Sequence, residues 1–337
     1  TTLQENGSKV GLISIRIPLP FDTDKFVAQI PSTTKKLVVI GQSLDGSAPS
    51  VLKSKVSAAL FFHGKRDVKI SEYIYQPNFV WSPSAVEQIA SSFVSGFKAS
   101  TSPESENFIY WSTDNSANVD LSSRLVHALS LVDKQDVSLR TKFDNAANAG
   151  VFQAQFTASP VSSSHTVSNI DSASVSIVEN ISILNVFDVV STIKKNGTVL
   201  IISEKSLAEK DLSDKKTFTE DFNIPAKFLE DVANKNIKVV FIDAETIGDR
   251  EETRGRTLSF ISQAVFWKYA YNHDVAESVR RIWNSAGPDI ELLAAVLSDT
   301  ITTAFEVGVR EVPAEAYKSF IEKEEKKEEE EQEEEQP

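Results

Sequence analysis

The chain contains neither cysteine nor methionine in 337 residues. Both residue types belong to ordinary globular cores, and a chain of this length normally carries several of each. Without thiolates the segment cannot hold an iron–sulfur cluster or Cys-ligated zinc, and it can form no disulfide. We interpret the lack of sulfur as a sign that the protein is made when sulfur is scarce.

Long apolar runs are also missing, since no run approaches the roughly eighteen residues that a membrane helix needs. The first apolar stretch, residues 10–21, is interrupted by Arg16 and two prolines, which argues against a signal peptide. We therefore expect a cytoplasmic protein with no membrane partner. The first residue is Thr1 rather than methionine, so we also expect a segment of a larger protein.

Charge of one sign dominates, with 35 basic and 48 acidic residues and a net charge of −13. Residues 322–335 alone hold ten glutamates and three lysines. An acidic balance argues against a nucleic-acid partner. The acidic run is predicted to be a solvated linker, and an acidic docking tail is the alternative.

Composition divides the chain into two predicted α/β domains, residues 1–97 and 108–312. Residues 98–107 have almost no apolar content and are predicted to be a linker between the domains. Residues 318–337 are predicted to be a second, acidic linker. In the first domain, strands at 10–17, 36–40 and 68–75 alternate with helices, which indicates a parallel sheet. The predicted N-caps of these helices are Ser47 and Ser82.

The second domain is predicted to be α/β with a helical C-terminal part. Strands are expected at residues 108–112, 137–143, 151–157, 174–178, 198–203 and 237–244. Helices are expected at residues 120–131, 182–195, 225–234, 257–271, 275–285 and 290–305.

Phosphate-binding motifs of the GxGxxG and GxxxxGK[ST] types do not occur. The four histidines are His63, His127, His165 and His273, and they are too far apart in sequence to indicate a metal site. His127 and His273 are expected to have surface or helix-capping roles.

Two charged groups have both a functional and a structural interpretation. Asp243 closes a buried strand, where it would contact a ribose or metal or, as we favour, cap the next loop. Arg250, Arg254 and Arg256 precede a long helix, where they would hold an anion or, as we favour, pair with neighbouring acids.

An aromatic group in the C-terminal part predicts a core or subunit contact rather than a cofactor site. It comprises Phe260, Phe266, Trp267, Tyr269, Tyr271 and Trp283. The residues alone therefore predict a soluble α/β segment with no catalytic, cofactor-binding or metal-binding residues.

Several long strings resemble the flavoprotein (alpha) subunit family of fungal assimilatory sulfite reductases. They lie at residues 10–21, 31–50, 71–83, 138–156, 236–246 and 259–270. The resemblance implies a parent enzyme that reduces sulfite to sulfide with NADPH. It places the FAD and NADPH sites beyond the acidic run, outside this chain. It places siroheme and an iron–sulfur cluster on a partner, the hemoprotein (beta) subunit.

The segment also resembles two domains of pyruvate:ferredoxin (flavodoxin) oxidoreductase. Residues 10–97 resemble its transketolase-C-like domain with a truncated front edge, and residues 106–310 resemble its gamma-type domain. Where that family has a glycine-rich SDGTVG-like stretch, this chain has STDNSA at 112–117. Gln153 and Gln155 take the positions of the family's His and Arg. These departures imply a scaffold that has lost its catalytic role.

Two hypotheses follow from this resemblance. The first is a non-catalytic assembly segment whose partner is the hemoprotein subunit. It would form a homo- or hetero-oligomer. The alternative is a degenerate cofactor crevice that still binds a small anion through Asp243 or the Arg254/Arg256 loop and regulates the parent. A surviving 2-oxoacid oxidoreductase is disfavoured by the missing cysteines and glycines.

Overall fold

The fold is given by a computed structural model. The structure describes residues 7–44, 48–77, 79, 81–94, 96, 105–116, 118–144, 150–160, 169–247, 254–286, 294–312 and 316–318. His165, Arg250 and the acidic run at 322–335 lie outside these residues. The chain divides into two compact units, a small unit Thr1–Ser102 and a large unit Pro103–Pro337.

Within its described residues, the small unit contains a two-stranded parallel sheet and three helices. Its elements in chain order are α1 (Thr23–Ala28), β1 (Lys36–Gln42), α2 (Val51–Phe62), β2 (Lys69–Tyr75) and α3 (Pro83–Phe93). Apolar side chains from α1, β1 and α2 form its core. The buried members are Phe26, Val27, Ile30, Val39, Val56, Ala59 and Leu60.

Two predictions for the small unit are wrong. Residues 10–17 form no strand, and Leu12 and Ile17 are 88% and 69% exposed. An apolar run is buried only where another element covers it. Strands β1 and β2 pair with each other and not with residues 10–17. Helix α2 is capped by Ser50, whose extended backbone lets its hydroxyl accept the Lys53 N–H at 3.2 Å. Ser47, the predicted cap, lies outside the described residues.

The large unit is built on a sheet with seven strands among the described residues. Its strands are β3 (Glu106–Thr113), β4 (Asp136–Asp144), β5 (Val151–Ser159), β6 (Ala173–Val178), β7 (Ile193–Ser203), β8 (Lys238–Asp243) and β9 (Val309–Val312). They lie in the order β4-β5-β3-β6-β7-β8-β9. The central strands β3, β6, β7 and β8 are mutually parallel, whereas β4, β5 and β9 run antiparallel to their neighbours.

Helices and turns cover both faces of this sheet. The helices are α4 (Leu121–Leu131), α5 (Ala226–Lys235), α6 (Ala244–Ile247), α7 (Arg254–Tyr271), α8 (Val275–Ala286) and α9 (Ala294–Val307). Two 3-10 turns, Ile181–Asn185 and Val190–Thr192, precede β7, and a π turn, Thr217–Asp221, follows it.

The central strands are apolar on both sides because each face has its own core. In β8, Val239 and Phe241 belong to one buried cluster, and Val240 and Ile242 belong to the other. The first cluster is covered by the 3-10 turns and α5, the second by α4 and α7. Burial of both faces explains why these strands form unbroken hydrophobic runs in the sequence.

Other predictions for the large unit need correction. No helix spans 182–195, because Asn180 and Asp188 accept the N–H groups of Ser182 and Ser191, which favours short turns over a continuous helix. Strand β3 begins at Glu106, so the sheet includes the last two residues of the predicted linker.

The C-terminal part is not helical throughout, because the four-residue strand Val309–Val312 pairs with β8. Among the described residues, every helix is too short or too polar to cross a bilayer.

Candidate functional site at the carboxyl ends of the central strands

The connections that leave β3 and β6 diverge. Strand β3 continues through α4 to β4 on one side of the sheet, while β6 continues through the 3-10 turns to β7 on the other. Helix α4 covers one face and the turns cover the opposite face. The carboxyl ends of β3 and β6 therefore flank a topological switch point, where open α/β sheets bind ligands. We call this place the switch-point crevice.

A carboxylate from Glu179, the residue that follows β6, lies in the switch-point crevice. It accepts a hydrogen bond from the Tyr110 hydroxyl at 3.0 Å and others from the hydroxyls of Ser112 and Ser116. The Glu179 N–H donates to the Trp111 carbonyl at 3.0 Å, which fixes its backbone beside β3. Three hydroxyl groups from β3 and its loop thus converge on one carboxylate.

Burial sets the electrostatics of this group. It raises the pKa of Glu179, and the hydrogen bonds from Ser112 and Tyr110 oppose that rise, whereas the nearby charge of Glu204 adds to it. Burial, and then the Glu179 charge, raises the pKa of Tyr110 well above its usual value, so its hydroxyl remains a donor. Hydroxyl donors are the physical compensation for a carboxylate held out of water.

Asn118 holds two of these donors in place. Its carbonyl lies 2.8 Å from the Tyr110 hydroxyl and shares the single proton of that hydroxyl with Glu179, and its N–H donates to the Ser116 hydroxyl at 2.9 Å. The residue is 1% exposed, and within the described part of the chain neither side-chain amide atom has a hydrogen-bond partner. An unsatisfied buried amide is costly, so this side chain has unused capacity for a ligand.

Asp114 closes the loop after β3 against Gly150. The Asp114 N–H donates to the Gly150 carbonyl at 3.1 Å, and Gly150 has φ +74°. A Cβ atom at position 150 would collide with the Asp114 carboxylate. The backbone freedom of glycine is therefore needed just before β5, while the sequence at 112–117 contains no glycine.

Asp243, at the end of β8, has the structural role that we favoured. One carboxylate oxygen accepts the Thr246 N–H at 2.8 Å. The other accepts the Leu207 N–H at 2.7 Å and the Thr246 hydroxyl at 2.6 Å. Asp243 is 1% exposed and joins the loops that follow β7 and β8, so its acceptor positions are used within the chain.

The predicted histidines lie apart from one another. His63 pairs with Asp24 at 3.1 Å in the small unit, and His127 is exposed on α4. His273 stacks on Tyr271 with ring centroids 5.7 Å apart, while Asp274 caps α8. In the described ranges no three His, Asp or Glu side chains gather closely enough to hold a metal ion.

The arginine hypothesis keeps both of its interpretations. Arg254 and Arg256 lie in the first turn of α7, but their side chains, like Arg250, fall outside what the structure describes.

The aromatic group is largely core, as predicted. Phe260, Phe266 and Trp267 are buried, and the other three members are half-buried. Phe266 packs against Phe108 of β3 with ring centroids 5.0 Å apart, which joins α7 to the sheet.

The two glutamines of β5 form a neutral pair. The Gln155 amide donates to the Gln153 side-chain oxygen at 2.8 Å and accepts the Ile170 N–H at 3.0 Å. Gln155 is 3% exposed, so these bonds satisfy a buried amide and fix the segment before β6.

Glu179 was not singled out from the sequence, although a signal was present. It follows the predicted strand 174–178 just as Asp243 follows its own strand, and the same rule about strand ends applies to both. The serine donors that identify it lie 67 and 63 positions away, so their convergence depends on the pairing of β3 with β6.

The fold and the crevice define a mixed α/β protein with a parallel-centred sheet. No protein-family model matches the chain. It is 49% identical over 323 residues to the sulfite reductase [NADPH] flavoprotein component of Saccharomyces cerevisiae, covering 96% of this chain and 30% of that protein. The resemblance to the sulfite reductase flavoprotein is thereby confirmed over nearly the whole segment.

More distant relatives are pyruvate oxidoreductases. The chain is 24% identical over 314 residues to pyruvate:ferredoxin oxidoreductase of Moorella thermoacetica, covering 84% of this chain and 25% of that protein. A solved pyruvate oxidoreductase subunit of Thermotoga maritima is 13% identical, with a TM-score of 0.41 over 63% of this chain and all of that one. The chain spans about a third or less of the length of the curated relatives it matches.

Proposed function

We propose that this chain is a non-catalytic assembly segment of the flavoprotein subunit of an NADPH-dependent assimilatory sulfite reductase. The parent enzyme would pass NADPH electrons through flavin to a siroheme subunit that reduces sulfite to sulfide. FAD and NADPH would bind in other parts of the parent, and siroheme with its iron–sulfur cluster would lie on the hemoprotein partner. The identity to the yeast flavoprotein component supports the parentage.

The observation that carries the non-catalytic assignment is the position of Glu179. Its carboxylate occupies the switch-point crevice and engages the hydroxyls of Tyr110, Ser112 and Ser116. Asp243, the other group at a strand end, is bound by the chain's own loops. Groups that a cofactor would need are therefore committed to internal contacts.

Charge asymmetry supports the assembly role. The small unit carries 11 basic and 7 acidic residues, a net charge of +4, whereas the rest of the chain carries 24 and 41, a net charge of −17. Five of the basic residues lie at or just before the first residues of β1 and β2, and we call them the basic edge. They are Lys35, Lys36, Lys65, Arg66 and Lys69.

The basic edge is unfavourable for the isolated unit. Lys36 and Lys69 are register partners in the parallel sheet, so two cationic side chains leave adjacent strands at the same level. An acidic surface on a partner would relieve this repulsion and speed association. The partner that fits the small unit is therefore an acidic protein surface.

Exposed aromatic residues beside the basic edge give the same surface an anchor. Phe61 and Phe62, at the end of α2, are 62% and 80% exposed, and Arg66 lies over the Phe61 ring at 5.3 Å. Aromatic side chains and arginine are the residues that most often dominate binding energy in interfaces. We assign this surface to the contact with the hemoprotein subunit.

The test measures the mass of the chain by light scattering on a sizing column, alone and with the hemoprotein subunit, at low and high salt. One triple variant reverses the charge of Lys35, Lys36 and Lys69. A matched control reverses three exposed lysines of the large unit, Lys134, Lys195 and Lys216.

We expect a complex at low salt that weakens at high salt, is lost in the first variant and persists in the control. A chain that stays monomeric and ignores the hemoprotein subunit at every salt concentration would refute the assembly role. Equal losses in both variants would show that net charge matters and the basic edge does not.

The alternative, a regulatory module that binds a small anion, is favoured by one observation. The Asn118 side-chain amide is buried and unpartnered within the described residues, close to the hydroxyls that hold Glu179. Calorimetric titration with coenzyme A, thiamine diphosphate and NADPH discriminates the two functions. Saturable heat with any of them would favour the regulatory module.

A further inference from the structure

We propose that Glu179 is a built-in ligand, whose carboxylate takes the place of an external carboxylate in an intact receptor formed by β3 and its loop. The inference deepens the non-catalytic part of the proposed function and rests on it. The assembly measurement above does not involve Glu179, so the two proposals can fail separately.

The receptor and its occupant come from different elements. Tyr110 and Ser112 lie two positions apart on one face of β3, Ser116 lies in the following loop, and Glu179 follows β6. Side chains two positions apart on a strand point to the same side, so both donors face the crevice. Removing the Glu179 side chain would therefore leave the three donors in position.

The backbone holds the receptor independently of Glu179. The Asn118 carbonyl accepts the Tyr110 hydroxyl, and the Asn118 N–H binds the Ser116 hydroxyl. The Asp114 N–H ties the loop to Gly150 at 3.1 Å. The N–H bonds of Asn118 and Asp114 do not use the Glu179 carboxylate, so the loop keeps this support once that group is removed.

The chemistry of the crevice selects a small monocarboxylate. The two serine hydroxyls, together with the Tyr110 proton that Glu179 shares with the Asn118 carbonyl, match the two oxygens of a carboxylate. The negative charge of Glu204 acts on the same position, since it raises the pKa of Glu179, and it would oppose a multiply charged anion. Acetate and formate are therefore the expected ligands, and phosphate is the discriminating probe.

Chemical rescue tests the proposal. The Glu179→Ala variant is unfolded in increasing acetate, formate, phosphate or chloride at pH 7 and constant ionic strength. We expect acetate and formate to restore stability saturably, shifting the folded-to-unfolded ratio about tenfold when the free ligand is ten times its dissociation constant. Chloride and phosphate should have no such effect, and the wild-type protein and Glu204→Ala should not respond to acetate.

The donors are tested in the same background. Adding Ser112→Ala and Ser116→Ala to Glu179→Ala should abolish the acetate response, because the receptor is then lost. An acetate response that survives the loss of both hydroxyls, or no response in Glu179→Ala, would overturn the proposal.

A second measurement covers the case in which Glu179→Ala does not fold. In the protein with Glu179 intact, the pKa of this carboxyl is followed by 13C NMR before and after Ser112→Ala. The Ser112 hydroxyl lowers that pKa, so its removal should raise the pKa further. An unchanged pKa would mean that the hydroxyl does not bind the carboxylate, and the built-in ligand would be refuted.

Discussion

Arg281 binds Asp133 through two parallel hydrogen bonds. Its Nε donates to one carboxylate oxygen at 3.0 Å and its Nη2 donates to the other at 2.7 Å. The two residues are 148 positions apart and join the end of α4 to α8. The Arg281 side chain is 7% exposed and lies over the Trp267 ring at 5.6 Å. A planar guanidinium suits both contacts at once.

Breaking this pair should destabilise the large unit strongly. We expect Asp133→Ala to lower the free energy of unfolding by about 3 kcal/mol, because among the described residues Glu277 is then the one acidic partner left to a buried guanidinium. Arg281→Lys should lower the free energy of unfolding by less, since the positive charge remains and only the two parallel hydrogen bonds of the guanidinium are lost. Urea unfolding followed by tryptophan fluorescence measures both.

Arg280→Lys is the matched control, because Arg280 is 54% exposed and pairs only with Glu277 in the described contacts. It should change the free energy of unfolding by less than about 0.5 kcal/mol. Equal effects at positions 280 and 281 would show that the paired hydrogen bonds contribute little.

Gly150→Ala should be more harmful than Gly64→Ala. Both glycines have positive φ, +74° and +68°, so each alanine has backbone strain of about 1 kcal/mol. Only at position 150 would the new Cβ also meet a side chain, the Asp114 carboxylate. We expect a loss of about 3 kcal/mol there, measured by thermal unfolding.

Asp114→Ala in the Gly150→Ala background separates collision from strain. It should recover part of the loss, because the colliding carboxylate is then gone. No recovery would mean that backbone strain alone accounts for the effect.

The pH dependence of stability should report Glu179. Its pKa is raised in the folded state above the ordinary 4.5, so between these two values the folded protein binds a proton more tightly than the unfolded chain. Stability contributed by this group is therefore lost as pH rises from about 4.5 through the folded pKa. Glu179→Gln should remove this fall from a series of urea titrations between pH 4.5 and 7.

Glu230→Gln, on the exposed face of α5, serves as the control and should leave the slope of the wild-type protein unchanged. If Glu179→Gln has the same slope as the wild-type protein, the buried carboxylate does not contribute to the pH dependence.

Phe62→Ser should separate binding from folding. The side chain is 80% exposed, so the free energy of unfolding should change by less than about 0.5 kcal/mol. As an aromatic anchor of the proposed contact, its loss should weaken the complex with the hemoprotein subunit at least about tenfold. Val186→Ser, at a 54% exposed position of the large unit, should leave that complex intact when both are compared by calorimetry.

The central strands could be predicted from the sequence because they are buried on both faces. The runs at 198–203 and 237–244 correspond to the C-terminal half of β7 and to β8. The cap of α3 was also predictable, since Ser82 accepts the Ala85 N–H at 3.2 Å. Unbroken apolar runs and cap-plus-proline pairs depend on local residues only.

Features that depend on distant residues were missed. The run at 10–17 has the apolar sequence of a buried strand, but its residues are largely exposed because burial depends on the elements around it. Strand β9 has four residues and is defined by its pairing with β8. Asp243 could be predicted as a candidate because it ends a recognisable strand. The contact between Ser112 and Glu179 could not, because it depends on which strands are neighbours in the sheet.

The edge strand β4 has a consequence for how copies of the protein meet. It is nine residues long, pairs with β5 on one side, and exposes Leu139 and Phe143. Such an edge is a template for strand addition and fibre growth. Arg140 and Lys142 alternate with those apolar residues, and burial, followed by the charge of Arg140, lowers the pKa of Lys142. Two such edges in antiparallel register would bring four cations together, and their repulsion would oppose pairing of one edge with another.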